Sequence, residues 1–239
     1  MRLALLGHGA MGRLVEAHAR GAGHEVALVA TSRAPDGGAA ALAARLQGVD
    51  GAIDFSVAAA VPAHVAACME ARVPLVVGTT GWREQEGEVR RLVESANGAL
   101  VYGANFSVGA NLFYRVVARA AELFVSFDDY APFIEEAHHA RKRDAPSGTA
   151  LKLRDLLAAN YNTDVPVVST RAGHIPGTHR VGFDSAADQV MLTHTARSRE
   201  GFAAGALVAA RWLQGRRGVY EFGQVIYEML KASAGTETG

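Results

Sequence analysis

The sequence predicts an α/β protein, a doubly wound parallel sheet followed by an α+β unit with a mixed sheet. Three observations carry that expectation. The first hundred residues alternate short apolar runs with alanine-rich, helix-prone stretches, the rhythm of parallel strands buried on both faces and joined by crossover helices. Beyond Phe106 the rhythm gives way to one long apolar segment and then several strand-like runs. The chain closes on alanine- and leucine-rich helical segments, expected to pack back onto the first part.

Taken in order, the strands of the first sheet are expected at Leu3–Leu6, Val26–Val29, Ala52–Phe55, Leu75–Val77 and Leu100–Tyr102. Ala110 to Phe124 reads as a helix, Tyr130 to His138 as a long strand and Ser147 to Asn160 as a second helix. Strands follow near Asp164 to Thr170, Arg180 to Phe183 and Gln189 to Ala196. Ala203 to Leu213 and Tyr220 to Leu230 read as helices separated by the breakers Gly215 and Gly218.

Composition bounds the partners. The 239 residues are 49% apolar, enough for a substantial core, and 24 basic side chains balance 24 acidic ones. No global field draws such a chain to nucleic acid or to an anionic membrane, so a small-molecule partner is expected. The single cysteine, Cys68, excludes an internal disulfide and reads as a small buried thiol in a helix. No apolar run approaches the roughly 18 residues of a membrane span. The first strand begins at Arg2, leaving no room for a signal peptide, and a cytoplasmic location is expected.

Gly7-His8-Gly9-Ala10-Met11-Gly12 fits G-x-G-x-x-G directly after the first strand and at the mouth of the first helix, the context that a Rossmann-type dinucleotide site requires. Gly7 would permit the tight turn, Gly9 the approach of a pyrophosphate and Gly12 close helix–strand packing, with the helix N-terminus offering N–H groups to phosphate. His8 sits at a variable position and reads as a surface residue near the phosphates. An NAD-specific site would place an acid at the tip of the second strand, where this chain has Ala30-Thr31-Ser32-Arg33. Ser32 and Arg33 could hold a 2′-phosphate through charge-assisted hydrogen bonds, which favours NADPH, with NADH as the alternative. Asp54-Phe55-Ser56, Gly78-Thr79-Thr80-Gly81 and Gly103-Ala104-Asn105-Phe106 all follow strands at the edge where doubly wound sheets bind ligands.

The densest polar string is Glu135-Glu136-Ala137-His138-His139-Ala140-Arg141-Lys142-Arg143-Asp144-Ala145-Pro146-Ser147-Gly148-Thr149-Ala150. Ser147 reads as an N-cap, so the N–H groups of Gly148 and Thr149 would face a carboxylate, with His139 and Lys142 adding donors from the preceding loop. Successive strand residues point to opposite faces, so His138 and His139 can share a site only if the chain leaves the sheet there. A zinc site built with His174, His179 or His194 is the competing reading. The chain lacks the cysteines or closely spaced ligand pairs usual for structural zinc, and no metal is expected.

That string resembles the signature E-x-H-H-x-x-K-x-D-A-P-S-G-T-A of the dihydrodipicolinate reductase family. GHGAMGR, IDFS, VVGTTG, GANFSVGAN, TRAGHIPGTHRVGF and HTARSREGFAAGA resemble further family segments in the same order. The resemblance implies an NAD(P)H-dependent reductase that converts 4-hydroxy-tetrahydrodipicolinate (dihydrodipicolinate) to tetrahydrodipicolinate in lysine and diaminopimelate biosynthesis. By matching positions it implies His138 as proton donor and acceptor, Lys142 as the other proton donor, and His139, Gly148 and Thr149 as substrate contacts beside Ser147. It implies that Gly7 to Gly12, Gly78 to Thr80 and Gly103 to Phe106 line the cofactor. It further implies residues 1–105 with 204–239 as the dinucleotide-binding domain, residues 106–203 as the substrate-binding and oligomerisation domain, and a homotetramer.

Two other readings share part of this pattern. Another reductase with an appended α+β domain shares the fold but has no need of the His-His to Ser-Gly-Thr string. A non-catalytic dinucleotide sensor would keep the glycines and have no need of His138 or Lys142.

Overall fold

Five of the apolar runs form the expected strands: β1 Arg2–Leu6, β2 Glu25–Ala30, β3 Gly51–Asp54, β4 Leu75–Val77 and β5 Ala99–Tyr102. They lie in a computed structural model that describes residues 1–31, 38–161 and 163–235. Helices α1 Ala10–Gly21, α2 Gly38–Arg45, α3 Val61–Glu70 and α4 Glu86–Ser95 connect the strands, and every strand pairing is parallel. Met1–Val108 and Arg199–Gly239 form one unit of the chain, and Gly109–Ser198 a second.

The alternation of the strands sorts the first unit's core into two layers. Leu3, Leu5, Ile53, Val76 and Val101 face α1 together with the C-terminal helices α7 Glu200–Trp212 and α8 Phe222–Gly235. Ala4, Leu6, Ala52, Leu75, Val77 and Leu100 face α2, α3 and α4, among them Val65, Cys68 and Val93. Both faces are dry, which is why these strands read as continuous apolar runs. Each fully buried Leu, Ile or Val contributes about 1.5–3 kcal/mol.

One element departs from expectation. Gly218–Glu221, taken in part as the start of the last helix, is a strand, β10, paired in parallel with β5. Gly218 at φ +108 turns the chain, its N–H bonds to the Gly98 carbonyl at 2.8 Å, and Val219 and Tyr220 then run along the sheet edge. Four residues are too few for alternation to stand out beside the helical stretch that begins at Phe222. The sheet order is β10-β5-β4-β3-β1-β2, so the chain reverses direction across the sheet between β1 and β3, and ligand crevices open at the carboxyl ends of such strands.

The second unit holds α5 Val108–Phe124, β6 Ala131–His138, α6 Gly148–Ala158, β7 Val167–Arg171, β8 Thr178–Asp184 and β9 Gln189–Thr195. Its sheet runs β7-β6-β8-β9 and is mixed, with β6 parallel to β7 and antiparallel to β8. One face packs Ile134, Val181 and Phe183 against Tyr114, Val117, Leu153 and Leu157, with Phe124 stacked on Phe183 at 4.5 Å. Among the described residues, no helix is long and apolar enough to cross a membrane.

Candidate active site

The glycine loop after β1 has the shape its sequence requires. Gly7 lies at φ +94, and a Cβ there would stand 2.4 Å from the Phe55 carbonyl oxygen. A Cβ at Gly12 would stand 2.2 Å from the Gly7 oxygen, so α1 can approach β1 only through glycine. At Gly9 a Cβ would meet nothing within 4 Å. Gly9 is also the N-cap of α1, with no side-chain cap, so the first-turn N–H groups face open space beside it. This cradle fits a dinucleotide pyrophosphate. Gly9→Val should therefore leave thermal stability nearly unchanged while weakening dinucleotide binding at least tenfold. Calorimetric titration alongside a melt tests this, and undiminished affinity would remove the cradle from the site.

The neighbouring loops are tied together by a buried carboxylate. Asp54, fully buried at the end of β3, accepts hydrogen bonds from the Ser56 N–H and the Thr79 hydroxyl, each at 2.8 Å, and pairs with His64 Nδ1 at 2.8 Å. The Thr79 oxygen in turn accepts the Ser56 N–H at 2.7 Å. Thr79 thus spends its hydroxyl on loop structure, and Gly78 makes room for the Phe55 ring. Thr80 and Ala104 are exposed, Gly103 and Asn105 are half-buried, and the Phe106 side chain is buried 4.7 Å from Phe222. His8 pairs with Glu16 at 2.7 Å beside the exposed Ala10 and half-buried Met11. Ser32 and Arg33 lie outside the described residues.

In the second unit, β6 ends at His138 and His139 begins the loop, so the two histidines separate as the chain leaves the strand. Strand register does the rest. Glu136 and His138 are two apart on one face, Glu136 stands opposite Ser169 of β7 and His179 of β8, and His138 stands opposite Arg171. Glu136 Oε1 accepts hydrogen bonds from the Ser169 hydroxyl and the Arg171 guanidinium, both at 2.6 Å, and from the Ser147 N–H at 3.2 Å. Its Oε2 lies 2.8 Å from His138 Nδ1, an ion-pair contact off the hydrogen-bond axis. Ser147 caps α6 through the Ala150 N–H, and its hydroxyl meets His179 Nε2 at 3.1 Å. Gly148 is exposed and Thr149 half-exposed in the first turn, while Lys142 pairs with Asp144 at 2.8 Å.

Glu136, His138 and His179 bring donor atoms within 4.8 Å of one another. With Arg171 already on the carboxylate, the arrangement is a hydrogen-bonded ion network, and we assign no metal to it. Burial would raise the Glu136 carboxyl, but bonds from Ser169, Ser147 and Arg171 and the charge of His138 bring it down to about 2. His138 is held below its ordinary value, first by burial and then by Lys142 and Arg171, against the pull of Glu136 and Asp144. Burial and His138 push His179 down to about 4. At both Glu136 and His179 the unfolded chain takes up its proton at higher pH than the folded one, so stability falls as pH falls. The loss should begin between about 6.5 and 4 through His179 and continue between 4.5 and 2 through Glu136. Thermal midpoints across that range check this, and His179→Gln should diminish the upper stage, leaving the part that the other histidines with lowered values, His138 among them, contribute.

The fold gathers His138, Lys142, Ser147 and the first turn of α6 in one unit and the glycine cradle in the other. Sequence reasoning passed over Glu136, Ser169 and Arg171, and considered His179 only as a metal ligand. The period-two spacing of Glu136 and His138 was visible, but their partners on β7 and β8 emerge only from strand register.

Residues 1–106 match the family described as Dihydrodipicolinate reductase, N-terminus, and residues 109–226 the one described as Dihydrodipicolinate reductase, C-terminus. The 4-hydroxy-tetrahydrodipicolinate reductase of Christiangramia forsetii is 33% identical over 243 residues, covering 97% of this chain and 100% of that protein. The Stenotrophomonas maltophilia (strain K279a) enzyme of the same name is 39% identical over 229 residues, covering 90% and 93%. In fold the chain resembles the dipicolinate-bound dihydrodipicolinate reductase from Paenisporosarcina sp. TG-14, with a TM-score of 0.79 at 22% identity over 94% of this chain and 98% of that one. With both halves matched by its domains and relatives aligned end to end, this chain belongs to the dihydrodipicolinate reductase family.

Proposed function

We propose that the chain reduces 4-hydroxy-tetrahydrodipicolinate to tetrahydrodipicolinate in lysine and diaminopimelate biosynthesis, with NADPH preferred over NADH. A single observation carries the site reading: the capped, open first turn of α6 and His138 converge on one carboxylate, the Ser147 N–H bonded to Glu136 Oε1 and His138 Nδ1 2.8 Å from Oε2. A bound nicotinamide supplies one hydride; the substrate loses water and takes up one proton, so the balance requires a proton donor. His138 serves as proton donor and acceptor and Lys142 as the second donor. Ser147, Gly148, Thr149 and His139 hold the substrate carboxylates, and the cations around them stabilise charge that builds on the ring nitrogen. Gly7 to Gly12 hold the pyrophosphate, with Gly78 to Thr80 and Gly103 to Phe106 shaping the rest of the cofactor site. For the buried Gly12 and Phe106 that contribution is through packing and backbone.

The preference for NADPH rests on the identity of Ser32 and Arg33, which follow β2 in the sequence, where an acid would repel a 2′-phosphate. Residues 1–105 with 204–239 act as the dinucleotide domain and residues 106–203 as the substrate domain. The face of the second sheet turned away from α5 and α6 displays Val168, 62% exposed, and Met191 beside the Glu135–Arg180 pair. That apolar surface supports assembly into a homotetramer through the sheet. We place the enzyme in the cytoplasm.

The deciding experiment follows nicotinamide oxidation by absorbance, with substrate generated in situ by the preceding synthase and either NADPH or NADH present. Substrate-dependent oxidation is the expected result. None from correctly folded protein would overturn the proposal, and faster turnover with NADH would overturn the preference.

A further inference from the structure

Six of the buried side-chain atoms that lack a hydrogen-bond partner belong to Glu136, His138, His139, Arg171, His179 and His194, all in the second unit. Glu136 is the hub of this concentration. It is 2% exposed, with Ser147, Ser169, Arg171, His138 and His179 against its carboxylate, and the reaction as proposed gives it no task.

We propose that Glu136 is the positioning residue of this site, one carboxylate that orients His138 for proton transfer through Oε2 and fixes the anion-binding turn of α6 through Oε1. This deepens the proposed function and rests on it. On the His138 side the reasoning is steric and electrostatic. Oε2 and Nδ1 lie 2.8 Å apart, off the hydrogen-bond axis and each without another hydrogen-bond partner, so a small turn of the ring brings an Nδ1–H onto the carboxylate; the neutral imidazole then carries its proton on Nδ1 and presents its lone pair at Nε2. Gly177 keeps the Nε2 side of the ring open, since a Cβ there would stand 3.2 Å from that atom. On the other side, the Ser147 N–H bonds to Oε1, and Ser147 is the residue that caps α6. Arg171 and Ser169 lock the same oxygen from β7, so the carboxylate has a fixed place from which to hold both partners.

The groups facing His138 are Glu136 on its own strand, Lys142 and Asp144 from the loop, Arg171 from β7 and His179 from β8, 5.1 Å away ring to ring. Among these, Glu136 is the anion in direct contact, so its removal should dominate any change in His138 protonation. In Glu136→Gln the shape stays and the charge goes. The kcat should fall about 10–100-fold with KM for substrate changing far less. The fall of activity on the alkaline side should move to lower pH by about one unit, because the imidazolium loses its counter-ion. Glu136→Asp retains the charge and should keep that alkaline limb in place while kcat drops.

Nitrogen NMR of the histidines reads the same property without turnover. In the wild-type protein neutral His138 should be the Nδ1–H tautomer, and in Glu136→Gln its titration should shift down with the activity limb. An Nε2–H tautomer in the wild type, or an unchanged His138 titration in a folded Glu136→Gln, would overturn the proposal. The wild-type tautomer decides the matter even if the glutamine variant does not fold. A wild-type protein with the expected tautomer and no turnover would instead count against the reductase reading and leave the geometry of Glu136 intact.

Discussion

Alanine at His138 should lower kcat by about 10²–10⁴-fold, the usual contribution of a positioned acid or base, while nicotinamide dinucleotide affinity stays within twofold of wild type. The separation is expected because His138 lies in the second unit, whereas the glycine cradle is built from β1 and α1. The fold should survive, since the Glu136 carboxylate keeps its bonds to Arg171, Ser169 and Ser147 when the imidazole is gone. Lys142→Ala should behave differently. Lys142 pairs with the exposed Asp144, and its loss removes a cation from the loop before α6, so KM for the dicarboxylate should rise together with a fall in kcat. Steady-state kinetics of both variants with a parallel cofactor titration make the comparison. Wild-type kcat in His138→Ala would remove that residue from the chemistry.

Gly205→Ala should destabilise the protein by about 1–3 kcal/mol, although an alanine inside an exposed helix normally gains about 1 kcal/mol over glycine. Gly205 lies in α7 where a Cβ would stand 1.7 Å from the Phe106 carbonyl oxygen and 3.3 Å from the Phe222 ring. The first contact is with backbone, so no side-chain rotation relieves it. Either α7 withdraws from the sheet or the segment after β5 moves. At about 2–4 °C per kcal/mol for a chain of this size, the melting temperature should fall by several degrees. The same displacement shifts Asn105 and Phe106, so cofactor affinity should weaken in parallel. A variant as stable as wild type would show that this packing yields cheaply.

These effects differ in how far the sequence discloses them. Gly7, Gly9 and Gly12 were legible because their spacing is local and follows a strand, and Ser147 because an N-cap acts within its own turn. The first five strands were legible from their continuous apolar runs, and the α+β character of the second part from the strand-like runs that follow its helices, whereas the parallel pairing of β6 with β7 appears only in the register. β10 was not, since its four residues owe their strand conformation to β5, far away in the chain. The roles of Asp54 with His64, and of Glu136 with Ser169 and Arg171, are likewise products of tertiary contact. A lone buried acid in a strand looks the same in sequence whether it pairs or faces water.

The edge strand β10 also dictates an order of events during synthesis. Gly218 pairs with Ala99, about 120 residues earlier, and such distant pairings are slow to form. Until the ribosome has released α7 and β10, β5 has an unpaired edge and one face of the first sheet lacks α7 and α8. The continuous segment Gly109–Ser198 has no such dependence and can complete its own core first. A nascent chain whose Gly109–Ser198 segment has emerged while α7 and β10 are still within the ribosome therefore carries a finished insert in an unfinished host, with an exposed strand edge open to mispairing.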